Sequence, residues 1–569
     1  MIKGLRITLS ITAQDGRPVK RKIRALTSES AQDYHFDGEK GRTNVRDYFL
    51  DTYGVRLAHP EWPCVLVSRT ARYPIELCQV DIGQKYHPDL APQQVSEVIR
   101  MTTIKPRERL AMLTRGIEAI SPSNNQAFGQ WQLNIAREPL RLTARVLQAP
   151  SVSYAQGRSL VPQGGAWSLQ GQRFFKPARL DRWIVFVFAR QSEFPPDMAR
   201  ESFTALAQQL RQLGVVVGPQ PPAIHYVDVP PSQAIAFIRS RVKPSEPPQL
   251  LVCFLMQKPS PYYGQIKLLG DVQTGVATQC LNILKARKKD RMYYSNVALK
   301  VNVKLGGSNS YASLGSTVSI PTVVFGANVA HPGPGSMTPS IVAVVASMDE
   351  KVTRYGSRMQ TQKSRQQVVA NLAEMVKSLL EQFRQEAGVD PQRIIFFRNG
   401  VSEGQYAQVL AHEVNAIRLA CQRISPTFKP ALTFIVCGKR HHVSIFPATP
   451  ADSDGKTDNV PAGTIIDHTV TNPFLFDWYT QSHGSLLGTS RSSHLTVLVD
   501  DSHFSPDDLQ QLTYNICYTF ARSTRSVSLA TPAYYADLVC TRAALYLASA
   551  GVSTLGTVHS LQNNRMYFM

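Results

Sequence analysis

The feature that most constrains this chain is a series of short, uninterrupted apolar runs: WIVFVFA, VVVGP, QLLVCFL and ALKVNVKL, then TVVFGANVA, SIVAVVASM, RIIFFRNG and LTFIVCG. Strands covered on both faces read as continuous apolar segments instead of alternating ones. Between the runs lie amphipathic patterns such as MARESFTALAQQLRQLG and SRQQVVANLAEMVKSLLEQFRQEAG. Strands alternating with helices predict sheets rich in parallel pairing, closed by crossover helices, so the fold class is α/β and multidomain. No internal repeat or low-complexity tail interrupts this plan.

The first ninety or so residues follow a different rule. IKGLRITLSI and PCVLVS alternate apolar and polar positions, the signature of a small β-rich module. MTTIKPRERLAMLTRGIEAI then takes helical spacing after Pro106, and a Gln- and Pro-containing stretch to about Ala166 reads as a connection. With 569 residues the chain has room for about four units. Lys plus Arg number 62 against 41 Asp plus Glu, a net +21 whose natural partner is a polyanion. No run approaches the roughly 20 apolar residues of a spanning helix, and no apolar run follows basic residues at the start, so nucleic acid is preferred to a membrane and the chain reads as soluble and intracellular. Eight cysteines without a CxxC pair fit a reducing compartment and argue against structural zinc. His441 and His442 lack metal-ligand spacing and read as packing or phosphate-contact residues.

Longer strings carry more information. GDVQTGVATQC, LKVNVKLGG, RIIFFRNGVSEGQ, GKRHHVSIFP, NVPAGTIID, SHGSLLGTSRSSH and TRSVSLATPAYYADLVCTRA, with MYF near the end, closely resemble the eukaryotic Argonaute family. IKGLRITL, DYFLDTYGVRL, PEWPC and RVLQAPSVSY extend the resemblance through the earlier part. It implies a partial, barrel-like PAZ module over residues 1–90, a linker over 91–171, a Rossmann-like MID domain over 172–306 and an RNase H-like PIWI domain over 307–569. Against the family pattern, the N-terminal domain and the opening strands of PAZ are missing, and an incomplete barrel predicts unpaired edges and a loose or weakly binding module.

The resemblance maps a pocket for the 5′ phosphate of a guide strand onto Tyr263, Lys267, Gln279, Lys300, Lys304 and Arg542. The chemistry fits, because a terminal phosphate carries nearly two charges and needs several cations and donors. Lys300 and Lys304, four apart, share one face whether the segment is helix or strand, and their repulsion is relieved by an anion between them. Tyr263 offers a ring for the first base, a contact of roughly 1–3 kcal/mol, while the loop MQKPSPY is implied to touch that base's edge. Guide phosphates are implied to meet Lys439, Arg440, His483, Arg491, Arg522, Arg525, Ser528 and Tyr534, contacts that fix register without reading sequence. The guide's 3′ end is assigned near Arg21, Lys22, Tyr48, Phe49 and His59, although Ile23, Ala58 and Glu61 depart from the family pattern.

In the family, four side chains of the pattern Asp, Glu, Asp and Asp or His hold two magnesium ions. Here they fall on Asn328, Gln367, Asn399 and Asp537. Three amides of nearly carboxylate shape leave the fold undisturbed but remove three charges, with only Asp537 left as a metal ligand for Mg2+. Asp349, Glu403, Asp467, Asp500 and Asp501 are the acids near enough in sequence to substitute, with Asp500 and Asp501 also read as caps for a helix after Ser505. The expected function is guide-directed silencing without efficient slicing, by a monomer of the cytoplasm and also of the nucleus, with a small guide RNA, complementary target RNA and silencing-complex proteins as partners. The alternatives are an active magnesium-dependent endoribonuclease and a general RNA-binding scaffold.

Overall fold

The structure, a computed structural model, describes residues 2–12, 17–38, 41–68, 70–84, 90, 92–120, 126–242, 245–256, 260–315, 319–333, 336 and 338–569. Contacts divide the chain into two units, Met1–Thr103 and Ile104–Met569.

In the first unit the predicted alternation is realised. Ile7, Leu9 and Ile11 of the strand Arg6–Thr12 are buried, and this strand pairs antiparallel with Pro18–Lys22 and Cys78–Val80. A second sheet joins Ala25–Ser30, Pro63–Leu66 and Arg72–Pro74. The hairpin His35–Gly38/Gly41–Asn44 leads into the helix Val45–Tyr53. Asn44 caps that helix by accepting from the Asp47 amide at 2.8 Å, and Gly54 ends it at φ 64°, a left-handed value that glycine adopts without penalty. Arg6–Thr12 is paired on both sides, and the outer edges of its two neighbours, Pro18–Lys22 and Cys78–Val80, carry no further strand among the described residues.

The second unit holds two large sheets. A four-stranded parallel sheet has the order Ala223–Tyr226, Trp183–Phe188, Leu250–Leu255, Ala277–Asn282. Alternate residues feed two cores: Val185 and Val252 pack with Leu206, Leu210, Val297 and Leu299, whereas Phe186 and Leu251 pack with Ile238, Ile266 and Leu269. A nine-stranded mixed sheet places Thr322–Ala330, Arg393–Asn399 and Ala431–Gly438 parallel at its centre, with antiparallel strands outside them. The strand Arg145–Val146 closes one edge of this sheet, antiparallel to Thr464–Ile466. Among the described residues, no helix is long and apolar enough to cross a membrane.

Two sequence readings are corrected. ALKVNVKL is not a strand but the end of the helix Arg291–Lys304, which Asp290 caps by accepting from the Met292 amide at 3.0 Å. Its valines favour strand locally, but the helix is enclosed nearly all round, Val297 and Val301 in one core and Val303 in the other, and tertiary burial overrides propensity. In SRQQVVANLAEMVKSLLEQFRQEAG, the helix spans only Leu372–Ala387. Arg365 and Asn371 take positive φ, and the Arg365 amide donates to Ser340 Oγ at 2.9 Å, so Gln367 lies on a loop.

The helix Thr531–Ala550 crosses the nine-stranded sheet at Gly326, where a Cβ would lie 2.1 Å from the backbone of Pro532. Only glycine permits this approach. Gly326→Ala is expected to cost about 1–3 kcal/mol through overpacking, read as a lower urea midpoint at unchanged slope, whereas Gly404→Ala, which meets nothing within 4 Å, leaves the midpoint in place.

Candidate nucleic-acid interface

In an open parallel sheet, ligands bind beyond the carboxyl ends of the strands where strand order reverses. Here that point lies between Trp183–Phe188 and Leu250–Leu255, and the chain leaving Leu255 leads to the helix Tyr263–Leu268. Gln257, Lys258 and Pro259 of the expected base-contacting loop lie outside the described residues. Lys267 and Lys304 are each 2% exposed, and both ammonium groups donate to the Thr278 carbonyl, at 2.9 and 3.0 Å. Lys267 also donates to Thr278 Oγ1 at 2.6 Å, and Lys304 to Gln279 Oε1 at 2.9 Å. The Tyr263 ring centre stands 5.5 Å from Lys267 Nζ. Lys300 is half-buried on the same helix as Lys304, which settles the question of spacing in favour of helix.

Arg542 arrives from the helix Thr531–Ala550 and donates to Asp271 at 2.6 Å, with Tyr546 donating to the same carboxylate oxygen at 2.7 Å. Burial works against the Arg542 charge, but Asp271 outweighs it and raises the guanidinium further. At Lys304 the balance falls the other way: burial first, then Lys267, Arg542 and Lys300, push it well below the ordinary lysine range, and Asp271 opposes them without restoring it. Three buried basic side chains therefore share one buried carboxylate. The cleft is short of negative charge.

Of the residues expected along a strand's backbone, Lys439 donates to Ser528, and Ser493 donates to the Ser528 carbonyl. Burial lowers Lys439 to about 8. His483 is lowered to about 4, by burial and then by Lys439, so at neutral pH it serves as a neutral hydrogen-bonding group and not as a cation. Arg522 is half-buried and interacts electrostatically with Tyr263, Arg542 and Tyr534, joining this row to the cleft. Tyr534 packs edge-on against Phe520 at 4.9 Å. Arg440, Arg491 and Arg525 are exposed, with Arg491 donating to the His441 carbonyl at 3.3 Å. His441 proves a packing residue, edge-on to Tyr479 at 5.1 Å, and His442 is exposed.

In the first unit, Arg21 and Lys22 lie on the strand Pro18–Lys22, and Tyr48 is half-buried. Phe49 departs from its expected role: at 2% exposed, it belongs to the core. His59 stacks on Trp62 with centres 4.0 Å apart and pairs with Glu61 at 3.2 Å.

The four expected metal-site positions do converge. Ala327 and Arg398 are register partners on parallel strands, which sets Asn328 beside Asn399 one residue further on. Asn328 Nδ2 donates to Asp537 Oδ1 at 3.0 Å. Gln367 Nε2 donates to the Gly400 carbonyl at 2.7 Å, while its Oε1 takes His331 Nε2 at 2.7 Å. Arg398 and Glu413, both fully buried, anchor this corner: Arg398 pairs with Glu413 at 2.8 Å and donates to the Asn399 and Gln367 carbonyls at 2.5 and 2.8 Å. Asp537 is raised by burial, the Asn328 amide opposing the shift. An amide NH2 aimed at the single carboxylate is a donor where a cation needs an acceptor, so these residues do not fit a magnesium pair.

The neighbouring acids do not repair it. Asp349 holds Thr353 at 2.6 Å, Asp467 holds Arg145 at 2.8 Å, Asp500 holds Thr433 at 2.8 Å and Asp501 holds Arg418 at 3.2 Å. Glu403 sits exposed on the turn Glu403–Gln405. Among the described residues, no three His, Cys, Asp or Glu side chains gather as a metal site. Nor do Asp500 and Asp501 cap the following helix: Ser505 does, accepting from the Asp508 amide at 3.1 Å.

Family models match the chain in three places: the Piwi domain over residues 250–547, the PAZ domain over 1–109 and the Mid domain of argonaute over 161–237. The Piwi match alone covers more than half of the chain. The chain belongs to the Argonaute family. It is similar to protein argonaute 12 of Oryza sativa subsp. japonica, 34% identical over 584 residues, which takes in 96% of this chain and 55% of that relative. It therefore spans about half the length of that protein. The fold is similar to that of Kluyveromyces polysporus Argonaute solved with a guide RNA, at TM-score 0.80 and 24% identity over 100% of this chain and 67% of that one. Drosophila Piwi follows at TM-score 0.70 and 20% identity, over 100% and 74% of the respective chains.

For this Argonaute, sequence reasoning missed Asp271, Tyr546, Thr278, His331 and the Arg398–Glu413 pair. Asp271 carried a signal: a lone acid following the apolar stretch of IKLLGD, four residues after Lys267, requires a cation once buried. Lys304 yields a measurable consequence. An anion entering the cleft restores its charge, so titrating uridine monophosphate into the chain at pH 8 is expected to draw protons from solution. Calorimetry in buffers of differing ionisation enthalpy reads this uptake, and proton release would contradict the assignment.

Proposed function

We propose that this Argonaute holds a small guide RNA by its 5′ phosphate, presents it for pairing with target RNA and silences by occupancy without efficient slicing. The observation that carries the reading is the pair of buried lysines on one carbonyl beside Arg542, a cleft whose cations exceed its carboxylates and which a doubly charged phosphate completes. The guide RNA in the similar Kluyveromyces structure supports the same class of ligand. On this reading residues 172–306 form the MID domain and 307–569 the PIWI domain, after a PAZ module over 1–90 and a linker over 91–171. Tyr263 stacks on the first base, and Lys439, Ser528, His483 and the exposed arginines follow the backbone. The complex acts as a monomer in the cytoplasm or nucleus, where silencing-complex proteins join it.

Removing the 5′ phosphate from a short single-stranded RNA is expected to weaken binding roughly a hundredfold, about 2.7 kcal/mol, and the double variant Lys267→Met/Lys304→Met to abolish the difference. Equal affinity for both strands would instead mark a scaffold without a stored guide.

Cleavage separates the silencing reading from the nuclease reading. The loaded chain with magnesium and a fully complementary target is expected to leave the target intact, and Asn328→Asp/Gln367→Glu/Asn399→Asp to cut it at one central phosphate. Cutting by the unaltered chain would overturn the non-slicing reading.

A further inference from the structure

In the parallel sheet the strand Leu250–Leu255 runs beside Ala277–Asn282 with Cys253 opposite Cys280. Register partners on adjacent strands project to the same face, and both cysteines belong to the core layer that contains Ile266, Leu269 and Tyr263. Paired strands lie about 4.8 Å apart, within the roughly 4.4–6.8 Å that the Cα atoms of a disulfide span. Cys253 is fully buried, and Cys280 is half-buried. Cys280 directly follows Thr278 and Gln279, the residues that hold Lys267 and Lys304. Lys267, Lys304 and Arg542 bear on it electrostatically from three different helices, with Asp271 already engaged by Arg542 and Tyr293 as the remaining titratable neighbour.

We propose that Cys280 is a hydroperoxide-reactive thiol and Cys253 its resolving partner, together closing a reversible disulfide at the anion cleft. The Cys280 thiolate attacks one peroxide oxygen, the O–O bond breaks, and hydroxide or alkoxide leaves with the electron pair. Cys253 gives up its proton and attacks the resulting sulfenic acid. An S–S bond forms, the S–O bond breaks, and water departs. Two thiols lose two electrons in all, and the peroxide gains them. A dithiol reductant reverses the step. The electrostatics support this geometry: the hydrogen bond from Cys253, ahead of Lys267, Lys304 and Arg542, brings the Cys280 thiol down to about 6 against the opposing effect of burial. Burial holds Cys64 up at about 11 and Cys78 at about 12, so those two serve as internal controls. Thiolates beside cations are the ones that oxidise.

The test uses the whole chain at neutral pH. Cys280 is expected to react with iodoacetamide at least about tenfold faster than Cys64 or Cys78, as thiolate fraction dictates. Hydrogen peroxide is expected to yield a Cys253–Cys280 disulfide in non-reducing peptide mass spectrometry. Cys253→Ser is expected instead to accumulate a dimedone adduct on Cys280. Alkylation of Cys280 no faster than of Cys78, or oxidation that leaves the pair reduced while other cysteines react, overturns the proposal, and the alkylation arm needs no variant to fold. A 5′-phosphorylated strand is expected to protect Cys280 where a 5′-hydroxyl strand does not. That last arm rests on the 5′-phosphate reading: a reactive pair without protection keeps the thiol site and removes the phosphate.

Discussion

The cleft depends on the buried contact between Arg542 and Asp271. Asp271 stands in the turn Leu269–Thr274 after the helix that carries Tyr263 and Lys267, whereas Arg542 belongs to the helix that crosses the nine-stranded sheet. Arg542 also donates to the Tyr567 carbonyl at 3.2 Å and the Phe568 carbonyl at 3.4 Å, so one guanidinium ties together three segments distant in sequence. Stripping one partner from a buried pair costs about 3–5 kcal/mol, because the other charge stays behind. Helix packing repeats the constraint: a Cβ on Gly264 would lie 2.1 Å from Ser549 Oγ, and Gln265 donates to the Ser549 carbonyl at 3.0 Å. The helix Tyr263–Leu268 is thereby held close against Thr531–Ala550, and Lys267 is buried beside it.

On the proposed reading, that burial explains why few cations suffice. A solvated lysine attracts a phosphate through high dielectric, where each contact is worth little, but Lys267 and Lys304 have already lost their water and keep only carbonyl and side-chain partners. An entering anion thus stabilises the Lys267 charge and restores that of Lys304. The row beyond the cleft works by another principle. Lys439 is partly suppressed and His483 is neutral, so on the proposed reading they serve as hydrogen-bonding groups that position a backbone, with the exposed Arg440, Arg491 and Arg525 supplying the screened long-range attraction.

Much of this was legible in the sequence, and what was not has identifiable causes. The apolar runs marked both sheets because strands enclosed on two faces leave no polar alternation to confuse the reading. The same rule failed at ALKVNVKL, since a helix enclosed on every side also loses its period, and only the Asp290 cap distinguishes it. Positions inside the quoted strings, such as Gln279, Lys304, Asn399 and Asp537, were found from their resemblance. Asp271, Thr278 and Arg398 lay inside the same strings and went unread, because their partners Arg542, Lys304 and Glu413 lie between 15 and 271 residues away. Phe49 illustrates the converse: an aromatic at a matching position can face inward, and burial is a property of the packed unit.

The altered metal corner shows how locally charge can be removed. Arg398 and Glu413 neutralise each other at full burial and fix the carbonyls of Asn399 and Gln367, so the backbone of this corner is held by contacts that do not involve the amide side chains. An amide is self-sufficient where a carboxylate is not. Asn328 satisfies Asp537, and Gln367 bridges His331 to Gly400, with no cation required to balance the corner. Four carboxylates packed together without metal would repel one another and push their own protonation upward. The amide corner is thus electrostatically quiet, while the cleft, joined to the same helix Thr531–Ala550 through Arg542, keeps more basic side chains than carboxylates. Arg542 and Asp537 thus set a cleft rich in basic groups and an amide corner at two points along one helix, and the corner meets its own hydrogen-bonding needs without drawing on the cleft.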